Sequence, residues 1–163
     1  MSAIFSRTSV RKYQNKEVET EKIDAILRAA MAAPSAANQQ PWEFYVVKNK
    51  ETLTALAGCS PYGGCIKDAA MAIVPVYRKE MMMPDFADID MAAATQNILL
   101  EVTELGLGAV WIGIAPMADR MENVRNVLQV PDHLRPYAII PIGYPVEGAE
   151  QKDRFDAERV HFV

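Results

Sequence analysis

Arg7, Ser9 and Arg11, in the run Ser6-Arg7-Thr8-Ser9-Val10-Arg11-Lys12, fall on one side of the chain if that run is extended, because side chains of extended backbone alternate with period two. Such a face offers two guanidiniums and a hydroxyl. A phosphate monoester carries close to two negative charges and several acceptor oxygens, a geometry that bidentate arginine contacts match better than scattered lysines do. A second basic group, Lys152-Asp153-Arg154, lies near the other end of the 163 residues. It would meet the same anion if the termini converge, as they often do in compact domains. The setting makes the local charge informative, since 17 basic against 21 acidic residues leave a net charge of -4 and a sequence pI of about 5.2. Nothing global attracts a polyanion, so nucleic acid is not an expected partner and any anion site must be local. From composition alone, the alternative is a solvated charged tail.

Other chemistries lack their residues. His133 and His161 are the only two histidines, too few for a multi-histidine metal site, and no H-E-x-x-H or calcium-loop pattern occurs. Cys59 and Cys65 are separated by Ser60-Pro61-Tyr62-Gly63-Gly64, which suits neither a zinc pair nor a C-x-x-C redox pair, so two free thiols are expected. There is no G-x-S-x-G elbow and no phosphate loop of the G-x-x-x-x-G-K-[ST] kind. The glycines of Gly106-Leu107-Gly108-Ala109-Val110-Trp111-Ile112-Gly113 follow a helical stretch and precede a strand-like one. That is the reverse of the order a dinucleotide-binding turn requires.

The elements that must position these residues follow from periodicity. Ile23, Ile26, Leu27, Ala30 and Met31 repeat at helical spacing from Thr20, with Pro34 marking the end. A loop over residues 34–41 leads into a strand from Trp42 to Val47. A second strand is expected over Ala69 to Tyr77, where Pro75 lacks a ladder donor and suggests an edge or a bulge. The longest helix is expected from Asp88 to Leu105, with Met91, Thr95, Ile98, Leu99, Val102 and Leu105 as its main stripe and Gly106 ending it. Ala92, Ala93, Ala94 and Leu100 leave it apolar on its other sides too, so it should pack centrally or against a second subunit. Ala109 to Ile114 reads as a strand, Asp119 to Leu128 as a helix and Tyr137 to Gly143 as a strand. No repeat or linker divides the chain, which predicts one domain over residues 1–163 with a layered α/β or α+β fold. No stretch reaches the ~20 apolar residues of a membrane span and the N-terminus lacks a signal-peptide core, so a cytoplasmic protein is expected.

Four stretches, in order, resemble the nitroreductase family of FMN enzymes: Arg7-Thr8-Ser9-Val10-Arg11; Ala33-Pro34-Ser35-Ala36-Ala37-Asn38-Gln39-Gln40-Pro41-Trp42; Asn97 to Gly113, ending L-G-L-G-A-V-W-I-G; and Lys152-Asp153-Arg154 after Gly143-Tyr144-Pro145. The second is the most specific. The resemblance implies an α+β layered fold with a mixed central sheet flanked by helices, forming a homodimer with FMN at the subunit interface. It implies that Arg7, Thr8, Ser9 and Arg11 hold the phosphate and ribityl chain, and that Lys152 and Arg154 close over the phosphate. Pro34, Ser35, Ala36 and Asn38 would approach the ring from the partner subunit, while Ile112 and Gly113 run past its reactive edge. NADH or NADPH would be the donor and a small nitroaromatic, quinone or similar molecule the acceptor, both using one pocket in a two-step exchange. FMN carries the chemistry, so no catalytic side chain is implied. Larger members carry a glutamate where Gly113 aligns, and an inserted helical lid; this chain has neither. Met81, Met82, Met83 and Phe86 either wall the substrate pocket or fill a core gap, and Tyr62 is a similar case. An FMN-binding or flavin-sensing protein without turnover, and a specialised enzyme of the reductive dehalogenase kind, remain open as alternatives.

Overall fold

In a computed structural model, which describes residues 2–147 and 151–163, the apolar periodicities translate into a sheet between two helical layers. Helix α1 (Ala3–Ser6) is a single turn, and α2 (Thr20–Met31) buries Ile23, Ile26 and Ala30. Strand β1 (Trp42–Val47) has the predicted bounds. Helix α3 (Lys50–Ala57) was not predicted. Its start was nevertheless written in Asn49, whose side chain accepts the Thr52 N–H at 2.9 Å.

Strand β2 (Met71–Arg78) sits inside the sheet rather than at its edge. It pairs with β1 along one side and with β6 (Ala138–Gly143) and β5 (Leu134–Pro136) along the other. The bulge half of the expectation is what Pro75 obtains. Ile73 faces Ile140 while Val76 faces Pro136, so two residues of β2 oppose three of the returning chain. The missing proline donor falls at that register slip, where the Pro75 carbonyl still accepts the Tyr137 N–H at 2.9 Å.

The run expected as one strand over Ala109 to Ile114 is two short ones, β3 (Gly108–Ala109) and β4 (Ile112–Gly113). Both pair with β6 in one continuous register. The gap falls opposite Pro141, which has no N–H to give and whose carbonyl accepts the Tyr13 hydroxyl at 3.2 Å. The sheet order is β1-β2-β6-β3, with β5 beside β2 and β4 beside β6. Every ladder is antiparallel, and the parallel component of this mixed sheet is the Ser9 to Ala109 bridge.

Period-two alternation in β2 and β6 divides the core. Met71, Ile73 and Tyr77, with Ala138, Ile140 and Ile142, face α2 and α4 (Ala87–Glu104). Ala72, Val74 and Val76, with Ile139, face α3 and α5 (Ala118–Leu128). Helix α4 ends as predicted, with Gly106 at φ 72° and the Leu107 N–H returning to the Val102 carbonyl at 2.9 Å.

Candidate active site

The first candidate segment is a strap along the β3 edge of the sheet. Ser9 bridges to Ala109, the Val10 N–H donates to the Ala109 carbonyl at 2.9 Å, and Tyr13 then bridges to Pro145. The approach to β3 is close enough that a Cβ on Gly108 would lie 2.7 Å from Val10 Cβ. With Val10 turned onto Gly108, alternation aims Arg7, Ser9 and Arg11 the other way, as the sequence predicts. Thr8 points away from this face. Its side chain lies on the Val10 face, lining a cavity of about 140 Å³ with Thr103 and Leu107, so it shares only its backbone with the arginines. Among the described residues Arg7 has no acidic partner, and Arg11 makes only a weak contact to the Ser9 carbonyl at 3.4 Å.

Chain ends do converge. Gln151 to Phe155 and the Ile4 and Phe5 side of α1 enclose a cavity of about 530 Å³, which brings Lys152 and Arg154 beside the helix that leads directly into Arg7. Within one chain the two basic groups are neighbours and do not share a cavity, because Arg11 lines another, of about 700 Å³. Lys67 stands in that same cavity with Arg11. Sequence reasoning passed over Lys67, and the adjacent Gly63 and Gly64 were the only signal that a backbone turn would carry it there.

Pro34, Ser35, Ala36 and Asn38 belong to a tightly held loop elsewhere on the molecule. Ala37, Asn38 and Gln40 adopt φ of 49°, 52° and 45°, conformations that cost energy for residues other than glycine and persist only when their surroundings enforce them. The enforcing groups are visible. Asp90, 3% exposed, accepts the Ala36 N–H at 2.9 Å and the Gln39 amide at 2.7 Å. Gln39 also exchanges two hydrogen bonds with the Met83 backbone, and Ser35 Oγ accepts the Gln40 N–H at 3.0 Å. Arg78 donates to the Gln39 and Gln40 carbonyls. Asp90 was legible only as one of two acids in the first turn of α4. No hydrogen bond among the described residues joins this loop to the arginine face within one chain, and residues 34–38 line none of the three cavities described above.

Ile112 buries its side chain in the core, so its part in the site is that of its backbone. Gly113 faces open space, where an added Cβ would meet no atom within 4 Å. Its carbonyl accepts Arg120 Nη1 at 3.1 Å, and that guanidinium lies 5.6 Å from the centre of the Tyr62 ring. The aromatic group behind this edge is Trp111, Tyr137 and Tyr77, with Tyr137 donating to the Asp88 carbonyl at 3.1 Å. Burial, with the Asp88 charge second, pushes the Tyr137 phenol up to about 12. Met81 packs on the core, whereas Met82, Met83, Phe86 and Tyr62 are exposed. Cys59 and Cys65 are free thiols, both pushed up by burial.

These features define a class: an α+β protein with helices on both faces of an antiparallel core sheet and an arginine-bearing strap on the sheet's edge. The chain belongs to the nitroreductase family, whose model matches residues 4–60 and 61–144. A protein of Methanothermobacter thermautotrophicus, provisionally named NADH dehydrogenase/NAD(P)H nitroreductase, is 45% identical over 162 residues, covering 99% of this chain and 85% of that one. The structure of an FMN-dependent nitroreductase from Clostridium difficile matches at TM-score 0.92 with 36% identity, covering 99% of this chain and 97% of that one. A provisionally named nitroreductase from Desulfovibrio desulfuricans, solved in complex with FMN, matches at TM-score 0.83 with 30% identity, covering 97% of this chain and 92% of that one.

Proposed function

We propose that this chain is an FMN-dependent oxidoreductase that moves electrons from NADH or NADPH to a small oxidised acceptor, such as a nitroaromatic or a quinone. The observation that carries the reading is the Arg7-Ser9-Arg11 face, free of acidic partners among the described residues, in a chain that follows an FMN-complexed relative over nearly its full length. The residues present suit the cofactor. Two unneutralised arginines in an acidic protein match a phosphate tail, and Gly113 leaves room for a flat ring. Bound FMN supplies the hydride-accepting and electron-donating chemistry of both half-reactions.

The chain supplies position. Arg7, Ser9 and Arg11 hold the phosphate and ribityl tail, Lys152 and Arg154 close over it from the other terminus, and the backbone of Ile112 and Gly113 borders the ring. Pro34, Ser35, Ala36 and Asn38 act from the partner subunit of a homodimer. This accounts for a loop that its own chain holds firmly yet joins by no hydrogen bond, among the described residues, to the arginine face. Residues 1–163 work as one domain in the cytoplasm; no helix among the described residues is long and apolar enough to cross a membrane.

The test is stopped-flow absorbance of the FMN-loaded protein mixed with NADH or NADPH, followed by addition of a nitroaromatic. Bleaching and then recovery of the flavin band is expected. A band that neither nucleotide bleaches removes the donor assignment, and bleaching without turnover leaves a flavin-binding protein instead of an enzyme.

A further inference from the structure

The cavity of about 700 Å³ that Arg11 borders holds more positive charge than phosphate anchoring at the strap needs. Six cationic side chains line it, Arg11, Lys12, Lys16, Lys48, Lys50 and Lys67. Against these stand the acids Glu17 and Asp68, in a chain whose net charge is -4. The cations arrive from four separate places: the strap, the end of β1, the first turn of α3, and the 3-10 turn of Gly63–Asp68. Convergence of this kind is not the chance richness of one surface segment.

Part of this charge is already committed. Lys50 donates to the Ala69 carbonyl at 2.8 Å, and Lys16 lies 3.6 Å from the Tyr144 ring centre and 3.9 Å from a Glu19 oxygen. Lys12, Lys48 and Lys67 make no hydrogen bond through their side chains and have no acid within 4.0 Å among the described residues. Three free ammonium groups around one hollow repel each other, and a multiply charged anion is the species that relieves the repulsion. Buried Val18 and Met71 give the hollow an apolar floor. Its volume falls within the roughly 300–1,000 Å³ common for small-molecule sites.

Arg11 is the shared wall. It belongs to the strap proposed to hold the cofactor's tail and also lines this hollow, so a ligand lying in the hollow would lie beside a residue of that site. We infer that the hollow receives the phosphate-bearing adenosine half of the reduced nicotinamide dinucleotide, with Lys12, Lys48 and Lys67 as its phosphate contacts. The inference rests on NAD(P)H being the electron donor. Contacts that hold the donor equally in ground and transition states set KM and not kcat, and exposed ammonium contacts remote from the transferred hydride are expected to act in that uniform way.

The test uses FMN-loaded full-length protein and the double variant Lys12→Gln with Lys48→Gln, two exposed side chains without structural partners. The dissociation constant for redox-inert tetrahydro-NADPH and the KM for NADPH should each rise about 5- to 20-fold, as two exposed charge contacts allow. Added salt should narrow the gap between variant and wild type. The kcat with NADPH, the rate with the phosphate-free donor 1-benzyl-1,4-dihydronicotinamide, and FMN retention should all stay at wild-type values. Equal affinity of both proteins for the analogue overturns the inference, as does loss of FMN from the variant, which would assign the hollow to the cofactor. If the analogue binds in a lysine-dependent way while NADPH fails to bleach the wild-type flavin, the nucleotide site stands and the proposed reaction falls.

Discussion

Arg7 and Arg154 come from opposite ends of the chain, and the structure places Arg7 at the C-terminal end of α1 and the segment of Arg154 beside Ile4 and Phe5 of the same helix. Replacing both by alanine should weaken FMN binding at least tenfold for each, since a charge-assisted contact is worth about 1.5 to 3 kcal/mol. Fluorescence of FMN released on dilution measures it, and unchanged affinity would remove these two from the phosphate site. The pairing was legible because charge sign and period-two spacing survive in the sequence without any knowledge of the fold. Spacing alone does not say what each face of the strap meets. Which face of the strap meets Gly108 is fixed by packing, and packing sent Thr8 with Val10. Lys67 and Asp90 were missed for the same reason, since a lone lysine or aspartate means nothing until its neighbours are known. Tyr137 adds a prediction in pH. Its phenol is raised from 10.0 to about 12, so the fold favours the neutral form, and this stabilisation is complete below the unfolded pKa and lost as pH rises through the folded one. Tyr137→Phe should therefore flatten the fall in urea midpoint between about pH 10 and pH 12. Tyr13 and Tyr77 are pushed the same way by burial, so part of the slope will remain.

Between residue and fold, the strap depends on a glycine. Three side-chain atoms of Val10 lie 2.7 to 2.8 Å from where a Cβ of Gly108 would stand. Val10 is β-branched and cannot swing aside. Gly108→Ala must then push the Ser9 to Ala109 bridge apart, at a cost of about 1 to 3 kcal/mol for overpacking. The displaced strap carries Arg7, Ser9 and Arg11, so FMN retention should drop with stability. Gly113→Ala is the control, because its Cβ meets no atom within 4 Å and its stability should stay within roughly 0.5 kcal/mol of wild type. Urea melts of the FMN-free proteins separate the two, and a Gly108→Ala protein as stable as wild type would show the strap to be loosely held. At this scale α2, β1, α4 and α5 were readable from periodicity, and Pro75 announced an edge or a bulge without deciding between them. The split of β3 from β4 was not readable, because Pro141 acts on a partner strand distant in sequence. Only the pairing itself reveals which carbonyl or amide is left over.

The whole molecule leaves one face unexplained by a single chain. Helix α4 buries Met91, Thr95, Ile98 and Val102, while Ile89, Ala92, Gln96 and Leu100 form a second stripe at helical spacing that joins neither core cluster. Ile89 is 63% exposed, and the C-terminal tail presents Phe155 and Phe162 at 79% and 95%. The homodimer proposed above would cover this stripe with a second copy. Ile89→Glu discriminates sharply. In an isolated chain it is a surface change worth within about 0.5 kcal/mol. It also adds an acid to the first turn of α4, beside Asp88 and Asp90, where the helix dipole favours negative charge. The monomer should therefore fold as well as before. At a subunit interface the same carboxylate is buried without a partner, a loss of several kcal/mol. Light scattering on the wild type should give twice the 18.1 kDa chain mass, and on Ile89→Glu the mass of one chain with an unchanged circular dichroism spectrum. If the site needs residues from both subunits, that folded monomer will also lose FMN although none of its own arginines has been touched. A variant that remains dimeric and yellow would place the interface on another surface.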